Sequence, residues 1–191
     1  MKERIRQIFD SQALLTDEEW EIFGSKLETK SFSKGEIILM EGQVEQYLSF
    51  ITSGTIRQFV YSDKGEDVSM CFCSDNSFFS SYSSFITRQP SKTCTEALDD
   101  VEVLRISYDN LQDCYGLSHT GERLGRINAE LSLSFKEDRE IMLLTMSAQE
   151  RYVHLLENNP RLLGLVKLEH IATYLGITPQ SLSRIRRAIT V

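Results

Sequence analysis

The sequence is short of the residues that mark specialised chains, and each shortage removes a class of protein. No window holds 18 consecutive apolar residues, so no spanning helix is expected. The opening MKERIRQIFDS has basic side chains but no apolar run behind them, unlike a secretory signal, and the cytoplasm is the expected location. Three prolines and ten glycines in 191 residues are too few for a low-complexity chain, and 41% hydrophobic residues suffice for packed cores. The three histidines, His119, His154 and His170, fall in separate segments. No serine–histidine–acid grouping and no phosphate-cradling glycine loop accompanies them, so an enzyme is not expected.

The four cysteines are Cys71, Cys73, Cys94 and Cys114, with no histidine nearby. Two disulfides are arithmetically allowed, but nothing indicates an oxidising compartment. Cys71 and Cys73 stand at i and i+2 of an expected strand and so share a face. A C-x-C pair is able to hold a metal, yet buried strand cysteines are the commoner outcome, and the expectation is no metal and no cofactor.

A length of 191 residues suits two small domains. The net charge of −7 is unevenly spread: residues 161–191 carry +4, leaving −11 on the first 160. This asymmetry lets a basic end approach phosphates while the remainder stays away.

Residues 1–27 read as two helical pieces, the second opened by a capping box, Thr16 to Glu19. Over 30–106 the pattern changes to short runs of β-branched and aromatic residues. Turn glycines Gly35, Gly42, Gly54 and Gly65 separate them, and SDKG (62–65) reads as a hairpin turn. This implies a small sandwich, roll or barrel. Serine-rich 76–92 interrupts the regularity and reads as a long connection with a helical turn. Ser107 is placed to cap a short helix containing Leu111. Leu117, Leu124 and Leu131 then recur every seven residues on a helix expected over 118–145, with Ile127, Asn128, Phe135 and Met142 at neighbouring positions of the stripe. That length exceeds what a small domain needs, which suggests a dimer seam. A second capping box, Ser147 to Glu150, opens a helix that NNP (158–160) ends.

Residues 168–189, LEHIATYLGITPQSLSRIRRAI, carry the strongest signal. Leu168, Ile171, Ala172 and Leu175 make one apolar helical face, and Gly176 leaves that helix in a left-handed conformation. Thr178 caps a second helix whose first position is Pro179. Leu182 and Ile185 face inward, leaving Gln180, Ser181, Ser183, Arg184 and Arg187 outside. Two short helices joined by a tight glycine turn, the second basic and polar outside, match a DNA-reading helix-turn-helix. In that reading Gln180 faces adenine, Arg184 faces guanine, Ser181 serves several partners, Thr178 and the helix N-terminus take a phosphate, and Arg186 or Arg187 adds backbone contacts. The bland alternative is an ordinary helical hairpin with a solvated basic face.

The segments FSKGEIILMEG (32–42), FITSGTIRQF (50–59), PSKTCTEALDDVEVLRIS (90–107), SAQERYVHLLENNP (147–160) and IATYLGITPQSLSRIRR (171–187) resemble the Crp/Fnr family of transcriptional regulators, in the shorter form common in Bacteroidetes. The resemblance implies an α+β chain in three parts. An N-terminal double-stranded β-helix (jelly-roll) domain of the cyclic-nucleotide-binding type spans 1–116, a long dimerisation helix 117–145 and a helix-turn-helix domain 146–191. The implied partners are double-stranded DNA, a second copy of the chain through 118–145 and an unidentified small-molecule effector, with no membrane. Nucleotide-binding members of the family carry a glutamate for the ribose and an arginine for the cyclic phosphate. The matching stretch here is Phe79-Ser80-Ser81-Tyr82 with Ser91-Lys92 downstream, so Ser81 stands at the acid position and Ser91 at the arginine position. Lys92 supplies charge without the two-pronged geometry of arginine. Cyclic nucleotides are therefore not expected to bind; either the roll takes no small ligand, or Ser80, Ser81, Tyr82, Ser91 and Lys92 are candidates for another one. Cluster-binding members gather cysteines near the N-terminus, whereas none precedes Cys71 here. The recognition helix departs from the family's R-E-x-x-x-R pattern: Arg184 matches the last arginine, Gln180 stands at the acidic position and Pro179 replaces the first arginine. A different operator is expected, without contacts from a wing hairpin after the recognition helix. The rival within the same fold is a ligand- or protein-interaction module that has lost DNA binding.

Overall fold

The computed structural model describes residues 2–117 and 119–189. Ser118, the first residue of the 118–145 segment, lies outside the described residues, as do Met1, Thr190 and Val191. Two N-terminal helices, α1 (Lys2–Gln12) and α2 (Asp17–Ser25), precede eight strands. The Thr16–Glu19 capping box is closed in both directions, which starts α2 where the sequence pattern places it.

The strands are β1 (Glu28–Phe32), β2 (Ile37–Leu39), β3 (Tyr47–Ser53), β4 (Ile56–Tyr61), β5 (Asp67–Cys73), β6 (Phe78–Phe79), β7 (Cys94–Ala97) and β8 (Val101–Ser107). They form two antiparallel four-stranded sheets, ordered β1-β8-β3-β6 and β2-β7-β4-β5. Phe32, Ile51, Ile56, Phe79, Ala97, Val101 and Val103 meet between the sheets. This is the α+β, jelly-roll arrangement, with serine-rich 76–92 supplying β6 and a helix, α3 (Tyr82–Thr87). The turn at 62–65 joins β4 to β5, the Gly65 N–H donating to the Ser62 carbonyl. Gly54 is obligatory for a different reason: its φ is +99°, and a Cβ there would lie 2.6 Å from the Asp100 carbonyl oxygen.

A bulge lies in the β4–β5 pair, where Gln58 faces Cys71 but Phe59 faces Ser69, leaving Met70 extra. Ahead of it Ile56, Gln58, Cys71 and Cys73 share the inner face, while Arg57 and Phe72 share the outer one. That outer face receives the C-terminal domain.

After the roll come α4 (Tyr108–Leu117) and α5 (His119–Thr145). The Asn110 N–H donates to Ser107 Oγ at 3.3 Å, so Ser107 serves the start of α4. Leu124 corrects the heptad reading. It is only 5% exposed and packs with Ile5, Phe9, Leu104, Leu111 and Cys114 against the roll, so it is unavailable to a partner chain. Seven-residue spacing places Leu117, Leu124 and Leu131 on one stripe but does not say which neighbour that stripe meets at each turn. Leu131 and Phe135, at 57% and 56%, remain bare. Among the described residues no helix is long and apolar enough to cross a membrane.

The C-terminal domain comprises α6 (Ala148–Asn158), α7 (Leu162–Leu165), α8 (Leu168–Tyr174) and α9 (Pro179–Ile189). The four-residue α7 has no counterpart in the sequence reading, being too short for a periodic signal. Tyr152, Leu155, Leu162, Val166, Ile171, Ala172, Leu175 and Leu182 form this domain's own core, to which Phe72 and Leu98 of the roll are added.

Candidate nucleic-acid interface and roll pocket

Gly176 leaves α8 at φ +69°, as the tight turn requires. Thr178 then caps α9: its Oγ1 accepts from the Ser181 N–H at 3.2 Å and donates to Ser181 Oγ at 3.0 Å. Leu182 is fully buried and Ile185 packs behind it. These two anchors turn Thr178, Gln180, Arg184, Arg186 and Arg187 to the exposed side, with Ser181 and Ser183 half-buried. Gln180, Arg184 and Arg187 recur at helical spacing along one strip of α9. Arg184 Nη2 lies 3.4 Å from Ser181 Oγ, which braces the guanidinium near the helix N-terminus. The three arginines supply positive charge, and the first-turn amides of α9 point the same way as its positive dipole end.

The helix pair is held against the rest of the molecule by residues that sequence reasoning missed. Arg139 of α5 donates from Nη2 to the Tyr174 carbonyl at 2.6 Å and from Nε to the Met70 carbonyl at 3.0 Å, and lies 3.9 Å over the Tyr174 ring. Arg151 of α6 donates to the Leu175 carbonyl at 2.9 Å and the Met146 carbonyl at 2.7 Å. The two arginines thereby satisfy the terminal carbonyls of α8 just before Gly176 and tie the turn to the roll and the long helix.

A second contact is built on Arg57, whose side chain is 1% exposed. Its guanidinium lies 2.8 Å from Asp67 and 2.7 Å from Glu96. It also reaches Ser69 Oγ at 3.3 Å and Nδ1 of His170 on α8. Beside it, the Ser69 N–H donates to Thr173 Oγ1 at 3.1 Å, and Phe72 packs on Tyr174 with ring centroids 5.1 Å apart. An arginine among the β-branched and aromatic residues of TIRQFV was the available signal, because a buried arginine demands partners. His170 carried no such signal, since Arg57 and Asp67, which its Nδ1 meets, lie over a hundred residues away.

Burial and the facing Arg57 hold the His170 imidazole below its ordinary value, against the opposing pull of Asp67, Glu96 and Glu169. The unfolded chain therefore takes up the proton first, and stability falls as pH drops below the ordinary histidine value of about 6.5. Glu45 acts oppositely: burial raises its carboxyl, so it favours the folded state as pH falls toward the ordinary carboxylate range. Asp67, lowered first by its hydrogen bonds with Arg57, loses its contribution only at more acid pH. Comparison with His170→Gln isolates the histidine. The melting temperature of the parent is expected to fall further than that of the variant between pH 7.5 and 5.5, and parallel curves would remove His170 from the pH dependence.

In the roll, Ser81 Oγ and Ser91 Oγ are 2.8 Å apart, and Thr93 Oγ1 donates to Ser81 Oγ at 3.1 Å. Ser91 also meets the Thr93 carbonyl at 2.8 Å. Ser81 and Ser91, which the resemblance sets at the acid and arginine positions, are thus bonded to one another, with Thr93 as a third member that the sequence reading did not include. Ser80 is directed to the Tyr47 carbonyl at 3.0 Å, while Tyr82 and Lys92 are exposed. The nearby arginine, Arg88, is engaged with the Glu45 carbonyl at 2.6 Å and stacks 4.6 Å over Tyr108.

Residues 29–116 match the cyclic nucleotide-binding domain family. The chain is similar to the anaerobic regulatory protein of Haemophilus influenzae, with 26% identity over 170 residues covering 82% of this chain; it spans 64% of that relative's length. Among solved structures it resembles FixK2 from Bradyrhizobium japonicum, with TM-score 0.71, 24% identity and coverage of 86% of this chain and 84% of that one. It also resembles a protein from Eubacterium rectale described as a transcriptional regulator of the Crp/Fnr family, with TM-score 0.74, 19% identity and coverage of 92% and 84%. The likeness is one of fold. The chain shares the fold of these structures: a roll of the cyclic-nucleotide-binding type, a long helix and a C-terminal helix-turn-helix.

Proposed function

We propose that the chain is a DNA-binding transcriptional regulator of the Crp/Fnr family, in its short form. It acts in the cytoplasm as a homodimer through 118–145 and performs no catalysis. The observation that carries this reading is the exposed Gln180–Arg184–Arg187 strip on a capped helix, held outward by Leu182 and Ile185. In the major groove Gln180 and Arg184 meet base edges, Ser181 and Ser183 make polar contacts, and Thr178 with the first-turn amides takes a phosphate. Arg186 and Arg187 add charge along the backbone. Selection by the purified full chain from a random duplex library tests this. A two-fold symmetric motif, with half-sites about one helical turn apart, is expected. Recovery of no motif, with the protein folded and dimeric, would favour a regulatory module that acts without DNA.

We further propose that cyclic nucleotides are not the effector, and that a different small molecule occupies the roll. The mutual hydrogen bonding of Ser81, Ser91 and Thr93 supports this, because a cyclic phosphate needs a cation where the cluster offers hydroxyls. Calorimetric titration with cyclic AMP and cyclic GMP is expected to show dissociation constants weaker than about 10 μM, equivalent to about −7 kcal/mol. Tighter binding would overturn the proposal.

A further inference from the structure

Cys71 and Cys73 are the least explained side chains of the roll. Both are half-buried on the inner face of β5. Their sulfurs are 4.0 Å apart, and Cys71 Sγ lies 3.2 Å from Gln58 Oε1. Both border a groove of about 1500 Å³ between the roll and α5, which Lys136 and Arg139 also line. We propose that Cys71 and Cys73 form a two-thiolate site for a soft, low-coordinate monovalent cation of the monovalent-copper class.

The spacing decides between the chemistries open to two thiols. With metal–sulfur bonds of about 2.3 Å, two sulfurs sharing one ion lie up to about 4.6 Å apart. The present spacing therefore accepts an ion at a sulfur–metal–sulfur angle of about 120°, and opening toward a linear site moves each sulfur by only about 0.3 Å. A disulfide instead requires the sulfurs to close to about 2.05 Å, across strand positions whose α-carbons are about 6.7 Å apart, near the upper limit for that bond. Zinc is disfavoured by ligand number. It takes four ligands, and no group of three or more His, Cys, Asp or Glu stands together among the described residues. Thiolates without further ligands select soft cations such as monovalent copper.

Charge agrees with this choice. Two thiolates and one monovalent ion leave a single negative charge beside Lys136 and Arg139. Loading displaces the protons carried by the pair. The site adjoins the contact with the helix-turn-helix, since Met70, the bulge residue next to Cys71, accepts a hydrogen bond from Arg139, which also donates to Tyr174 of α8. The binding itself does not depend on the DNA-binding reading.

The test uses the full chain, reduced and kept free of oxygen, titrated with monovalent copper against a chromogenic cuprous chelator. One equivalent per chain is expected to be withdrawn from the chelator. Cys71→Ser and Cys73→Ser should each weaken retention at least 100-fold, and Cys114→Ala should not. Alkylation mapped by mass spectrometry gives a second readout on the unaltered protein: one equivalent should protect Cys71 and Cys73 together. The proposal is overturned if the chelator keeps all the copper, if the double serine variant retains it, or if protection falls on Cys94 or Cys114.

Discussion

Glutamate at both Leu131 and Phe135 is expected to convert the proposed dimer into monomers and halve the mass measured by light scattering. Both side chains are more than half exposed on α5, so the substitutions remove nothing from the roll core. In a symmetric pair of α5 helices they bury four side chains that are little more than half exposed, each contributing about 1 kcal/mol. Their loss amounts to about 4 kcal/mol, or some three powers of ten in the dimer dissociation constant. Carboxylates facing one another add repulsion. DNA with two half-sites should then bind no better than DNA with one. Leu124→Glu is the contrasting variant: it places a charge in the cluster with Ile5, Phe9 and Leu111, and should lower the melting temperature rather than the mass. An unchanged mass for the Leu131/Phe135 double variant, with native circular dichroism, would exclude this seam.

Arg184→Ala should cost about 1–3 kcal/mol on the preferred operator and relax selectivity at one base pair, because a guanidinium meeting a guanine edge makes two directional hydrogen bonds. Arg184 lies one turn after Gln180 on the strip that Leu182 and Ile185 hold outward, and Ser181 braces it close to the helix N-terminus. Arg187→Ala should weaken all sequences more evenly and reduce the salt dependence by about one unit, as expected for a phosphate contact. Measuring both variants against single-base operator variants at several salt concentrations separates the roles. If Arg184→Ala weakens every sequence equally, Arg184 is a phosphate contact and the helix enters the groove in another orientation. If neither variant changes affinity while both remain folded, α9 is not the DNA surface.

The local structure of α9 is legible in the sequence because its signals are local. A threonine cap, a proline at the first helical position, a glycine that must take positive φ and two inward aliphatics all act within one or two turns of chain. The capping boxes at Thr16 and Ser147 were readable for the same reason, and both are closed in the structure. The two serines of the roll could be located by resemblance, but their bonding to Thr93 could not, since hydroxyl partners depend on how β7 and the cassette approach.

The sequence by itself determined the order of the parts: helices, a roll of short strands, a long amphipathic helix and a basic helix-turn-helix. Period, turn residues and caps are properties of neighbours along the chain. Only the tertiary structure decided what each face meets. It set Leu124 against the roll and left Leu131 bare, though both obey the same seven-residue spacing. It joined Arg57 to His170 across 113 positions and gave Arg139 the carbonyls of Met70 and Tyr174. Burial and charge pairing depend on distances in space, and a linear pattern encodes those only through the packing of the whole chain.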